Sequence, residues 1–149
     1  MSTQDNKAIA ERLLDAWNRS DWSTVEDLFA PDYVNHNPPP VPGISGDRDG
    51  QMQVMQYFRQ AFPDGRAETL NLLAEGDKVV VHDRIRGTHQ AEFMGVPATG
   101  REVTIDFIHI FRIAGGRIAE RWGLVDAMGL MQQLGAVPAQ QPAGAGTSA

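Results

Sequence analysis

The residues with chemical capacity gather late in the chain. The run IDFIHIFRIAGGRIAERWGLVD, Ile105 to Asp126, sets His109, Trp122 and Asp126 among apolar neighbours. Gly115 and Gly116 mark a hairpin turn between two strands. Strand side chains alternate between faces, so Ile105, Phe107, His109, Phe111 and Ile113 share one. A two-residue turn places His109 opposite Trp122, Phe107 opposite Leu124 and Ile105 opposite Asp126. The expectation is that His109, Trp122 and Asp126 project into one apolar space, and a slip of one residue would undo it. A poorly solvated carboxylate there would hold its proton toward neutral pH and could take and return one. His109 would donate a hydrogen bond to it or to a substrate oxygen. The competing reading makes Asp126 the N-cap of a helix, because AMGLMQQLG follows directly.

A second carboxylate lies in VVVHDRIR. Alternation groups Asp83 with the apolar Val79, Val81 and Ile85 and turns it inward. There it could share a proton with Asp126. A bulge would instead re-aim it to a surface arginine. In YVNHNP, Asn35 and His36 could reach a pocket from the helical side or bond local backbone. His89, in GTH, could line the same mouth or bond a carbonyl at a strand end. Phe107, Phe62 and Trp17, with several methionines, could wall an apolar pocket or simply fill the core.

These groups need a frame. Apolar spacing predicts a helix from about Asn6 to Arg19, a shorter one through Trp22–Phe29 stopped before Pro31, and a third from about Arg48 to Ala61. A loop rich in proline and glycine separates the last two. Two hairpins follow, the first turning near Gly76, and AMGLMQQLG closes the fold. Helices first and strands after argue α+β, with helices covering one face of a curved antiparallel sheet. Residues 1–137 read as one domain and 138–149 as a disordered tail. The chain has 149 residues, a formal net charge of −6 and no cysteine. The charge argues against nucleic acid or an anionic membrane as partner. The missing cysteines exclude disulfides, thiol nucleophiles and thiolate metal sites. The N-terminus lacks a signal-peptide pattern and no apolar run suits a membrane span, so a cytoplasmic location is expected.

The segments YVNHNPPP, FPDGRAE, EGDKVVV, RGTHQAEFMGVPATGREV, IFRIAGGRIAERWGLVD and LMQQLG occur in that order. Together they resemble the SnoaL-like polyketide cyclase family, within the superfamily that shares the fold of nuclear transport factor 2. The resemblance spans about Lys7 to Val137. It implies a cone-shaped, cystatin-like α+β barrel whose sheet carries the N-terminal helices on its concave face. It also implies a cofactor-free, metal-free enzyme that closes a ring by intramolecular aldol condensation of an ester. The family's catalytic aspartate follows the Trp of an E-x-W motif, which the resemblance places at Asp126.

Three readings follow. In the first, a polyketide ester cyclase, Asp126 is the general acid/base, His109 and His36 orient substrate oxygen, and Trp122 walls the pocket that holds a hydrophobic small molecule. In the second, an epoxide or ester hydrolase or isomerase uses Asp126 with Asp83. In the third, the cone is a noncatalytic binding or assembly module, and an Asp126 that only caps the last helix favours it. Ile108 and Ile110, on the sheet face without helices, point to a homodimer or higher homo-oligomer.

Overall fold

The computed structural model describes residues 2–138. Helix α1, Thr3–Asn18, starts at Ser2, whose hydroxyl accepts from the Asp5 amide while the Asp5 carboxylate accepts from the Ser2 amide. Ile9, Ala10, Leu13, Ala16 and Trp17 form its buried stripe. Helix α2 covers Trp22–Leu28. It is followed by a strand that the sequence reading missed, β1, Phe29–Asn35. Pro31 reads as a breaker, but β1 is an edge strand with an irregular register between Phe29 and Val34, where a proline is tolerated. Helix α3, Arg48–Ala61, begins at Asp47, which accepts from the Gly50 amide at 2.8 Å.

Strands β2, Arg66–Glu75, and β3, Lys78–Thr88, form the first hairpin. Strands β4, Glu102–Ala114, and β5, Arg117–Val125, form the second. Helix α4, Ala127–Gln133, ends the fold. The sheet order is β1-β5-β4-β3-β2, antiparallel except for the parallel pair β1–β5. The α+β architecture and the curved sheet are as expected. Of the expected tail only Pro138 falls within the described residues. No helix among them is long and apolar enough to cross a membrane.

Two apolar clusters pack on the inner face. One joins α1 and α2 to Val79, Val81, Phe111, Ile113 and Ile118. The other joins the end of α3, Leu130 of α4 and the C-cap Leu134 to Phe93, Val103 and Ile105. On β4 the order is Ile105, Phe107, His109, Phe111, so the histidine sits at the seam between them. On the outer face Ile108 is 49% and Leu124 76% exposed.

The β4–β5 register decides what faces the seam. Gly115 and Gly116, at φ 58° and 76°, make the expected two-residue turn. Ile113 then pairs with Ile118, but Arg112 pairs with Glu120, so Ala119 is an extra residue. Ile118 and Ala119 are both buried, the mark of a bulge. Everything beyond it shifts by one. His109 faces Gly123 rather than Trp122, Phe107 faces Val125 rather than Leu124, and Arg121 turns inward. The shift also pairs Arg112 with Glu120 as an ion pair on the outer face, where the unshifted register would bury Glu120 beside Phe111. Deleting Ala119 takes out the extra residue and leaves Arg112 opposite Glu120 and His109 opposite Gly123, so the variant is expected to keep a cooperative thermal melt and to lose about 1–3 kcal/mol with the buried methyl group and the local twist. Loss of the cooperative melt would contradict this reading of the register.

Candidate active site

Asp83 stays inward, as alternation on β3 required. It pairs with Phe107 across the strands, and Thr69 Oγ1 donates to its Oδ1 at 3.2 Å. Its Oδ2 lies 3.7 Å from His109 Nε2. The two side chains keep 16% and 17% exposure, so both meet accessible space. The His109 ring is stacked between Phe107 and Phe111, at 5.7 and 5.2 Å between ring centres.

Arg121 is the residue that the sequence reading missed. Its Nε donates to His109 Nδ1 at 2.9 Å and its Nη1 to Asn35 Oδ1 at 3.1 Å. Asn35 Nδ2 and Tyr33 Oη both donate to Gln51 Oε1 on α3. A polar line thus runs Thr69, Asp83, His109, Arg121, Asn35, Gln51 and Tyr33 between the two apolar clusters. Asn35 reaches it as expected, buried at 7% exposure. A charge check on the hairpin could have found Arg121: opposing Arg112 to Glu120 forces the slip.

Burial sets the protonation states. Desolvation raises the Asp83 carboxyl to about 6. Desolvation first, and the Arg121 charge second, lower His109 to about 3, so the imidazole is neutral at neutral pH. A guanidinium has no lone pair to offer. His109 Nδ1 must therefore be the acceptor, and the ring proton sits on Nε2, facing Asp83. The seam holds a carboxylate that titrates near neutrality beside a neutral N–H donor.

Several expectations need correction. Asp126 does not enter an apolar hollow: it is exposed, and its Oδ1 accepts from the Gly129 amide at 2.9 Å as the N-cap of α4. It therefore shares no proton with Asp83. After Trp122 the first residue on the inner face is Gly123, and a Cβ there would collide with the Arg121 guanidinium. Trp122 lies on the outer face, stacked on His36 at 4.7 Å, and His36 Nε2 contacts Glu120 at 3.2 Å. The bulge turns Trp122 away from the seam, and His36 lies against it there. His89 is fully buried; its Nδ1 accepts from the Thr99 amide, its Nε2 has no partner, and it lines no mouth. Phe62 is fully buried in the second cluster. Trp17 is buried beneath the Arg59 guanidinium, 4.0 Å from its ring centre. Of the expected pocket walls only Phe107 is partly open beside the polar line, edge-on to Phe58 at 5.5 Å. A groove of ≈ 370 Å³ between Val41–Ile44 and α3 shares no residue with this line. Among the described residues no three His, Asp or Glu side chains converge as metal ligands.

The model of the SnoaL-like polyketide cyclase family matches residues 7–134. The chain belongs to that family. Among its relatives, aklanonic acid methyl ester cyclase of Streptomyces peucetius is 27% identical over 141 residues, covering 91% of this chain and 92% of that protein. Nogalonic acid methyl ester cyclase of Streptomyces nogalater is 26% identical over 125 residues, covering 83% and 92%. The structure of TsrD from Streptomyces laurentii superposes with a TM-score of 0.82 at 27% identity, covering 92% of this chain and 99% of that one. In this SnoaL-like chain the inner face of β4 carries His109, and the cross-strand partner of that histidine is Gly123.

The raised Asp83 pKa has a stability consequence. The folded state holds this proton more tightly than the unfolded chain, whose carboxyl titrates near its ordinary value of 3.8. The wild type therefore loses stability as pH rises from about 4 through about 6. Asp83→Asn cannot lose it. The stability of Asp83→Asn relative to wild type is expected to rise by roughly 2 kcal/mol between pH 4 and pH 7, read by urea denaturation. A difference independent of pH would place the Asp83 carboxyl in ordinary solvent.

Proposed function

We propose that this chain is a polyketide cyclase that works without a cofactor, and that Asp83 rather than Asp126 carries its proton. The observation that carries this reading is the pairing of a partly exposed carboxylate, held near pH 6, with a neutral His109 whose Nε2 faces it at 3.7 Å. The family, and the methyl ester cyclases among its relatives, supply the reaction class.

The chemistry is an intramolecular aldol addition on a hydrophobic substrate. The Asp83 carboxylate takes a proton from a carbon flanked by carbonyls. His109 Nε2–H donates a hydrogen bond to the oxygen on which charge develops. The carbanion forms a bond to a ketone carbon of the same molecule, and the resulting alkoxide takes the proton back from Asp83. One proton is borrowed and returned. Delocalisation in the substrate makes the carbon acidic, so the protein's part is to position the ring-closing atoms and hold the proton. Phe107 and Phe58 offer the apolar surface beside the pair.

A second reading is the noncatalytic binding module, favoured by the helix-capping role of Asp126. Turnover of aklanonic acid and of its methyl ester separates the two. Asp83→Asn is expected to lower kcat by at least ~10²-fold, as loss of a general base does. Asp126→Asn should cost at most ~1 kcal/mol of stability, as a cap change does, and leave kcat within about twofold. In wild type, kcat/KM should rise with pH through about 6, as Asp83 ionises. Equal turnover by wild type and Asp83→Asn would remove Asp83 from the mechanism, and no turnover of any ester or acid substrate would favour the binding module.

A further inference from the structure

Arg121 is 9% exposed, and its contacts are neutral: His109 Nδ1, Asn35 Oδ1 and Asn37 O. None of its hydrogen-bond partners among the described residues is a carboxylate. Other arginines in the chain differ, with Arg19 held by Asp15, Arg84 by Asp106 and Arg112 by Glu120. A desolvated cation without a counter-charge is costly, and a fold retains one where something else supplies the charge.

The free edge can be located. Nε and Nη1 donate to protein acceptors, while Nη2 has none among the described residues. It lies over Gly123, where any Cβ would strike it. Among the described residues the unpartnered side-chain polar atoms sealed from solvent are Asn6 Oδ1, Arg59 Nε and His89 Nε2, so the Nη2 edge opens on accessible space. Gly123 is the cross-strand partner of His109, on the face that carries Asp83. Asp83 reaches His109 from the Nε2 side, away from the Nδ1 that Arg121 engages.

We propose that Arg121 Nη2, over Gly123, receives a carboxylate of the substrate, so that this enzyme acts on a free acid where its relatives are named for methyl esters. An enolate would meet the guanidinium only after Asp83 had acted, whereas a carboxylate neutralises it from the moment of binding. The inference rests on the inner face being the substrate site. It narrows the substrate class to aromatic or polyketide acids with the carboxylate directed at β5.

Equilibrium binding tests it without turnover. Isothermal titration at pH 7 would compare 2-naphthoate with the neutral, shape-matched 2-naphthamide. Wild type is expected to bind the carboxylate at least ~10-fold more tightly, the scale of one charge-assisted hydrogen bond. Arg121→Gln should abolish that preference. Gly123→Ala should abolish it too, because it keeps the cation in the chain but puts a Cβ where the Nη2 edge lies. It decides the matter alone if Arg121→Gln does not fold. Equal binding of the two probes by wild type, no binding of naphthoate, or a preference that survives Gly123→Ala would overturn the proposal. Failure of the cyclisation assay would remove the aldol reading and leave this result standing.

Discussion

A guanidinium can only donate, and that fact organises the inner face of this protein. Arg121 meets His109 at Nδ1, so the imidazole must present a lone pair there and carry its proton on Nε2. The same positive charge, added to burial, keeps the ring neutral. A neutral imidazole cannot serve as the counter-ion of Asp83, so burial raises the carboxyl against only the Thr69 hydrogen bond and a smaller contribution from His82. One contact therefore sets the tautomer of the histidine, the direction of its free N–H and the environment of the carboxylate beyond it.

The fold makes the contact through a defect. Were Ala119 paired with Arg112 as in a regular strand, β5 would present Glu120 and Trp122 inward and send Arg121 outside. With it, the outer face gains the Arg112–Glu120 pair and the stack of Trp122 on His36. The inner face gains a cation at the seam between two apolar clusters. Polar groups at such a seam avoid the full cost of burial by bonding one another along the line from Thr69 to Tyr33. Glycine at 123 leaves room for the guanidinium to lie along the strand.

Much of this was legible in the residues. Helical spacing located α1, α2 and α3, and alternation gave the inner faces of β3 and β4, with Asp83 and His109 on them. Strand periodicity is a local signal, and both residues sit where it runs unbroken. β5 was misread because a bulge leaves no local mark: the pattern of Glu120, Trp122 and Leu124 alternates as well as that of Arg121, Gly123 and Val125. Only pairing across the strands distinguishes them, through the Arg112–Glu120 ion pair. The same slip removed Trp122, and Asp126 followed it out to cap α4. β1 was hidden by Pro31, since a strand whose register is irregular tolerates what a regular one does not. The family resemblance gave the architecture correctly but could not say which carboxylate faces the histidine, because that depends on a single residue of register.

The tautomer and charge of His109 are the direct expression of this account. Long-range ¹⁵N–¹H correlation spectra of the His109 ring, followed from pH 8 to pH 4, would report both. The account predicts a neutral ring throughout that range, with a pyrrole-type Nε2 and a pyridine-type Nδ1. A ring that becomes imidazolium near pH 6.5, or that carries its proton on Nδ1, would mean that Arg121 does not hold it, and the chemistry assigned to the seam would lose its basis.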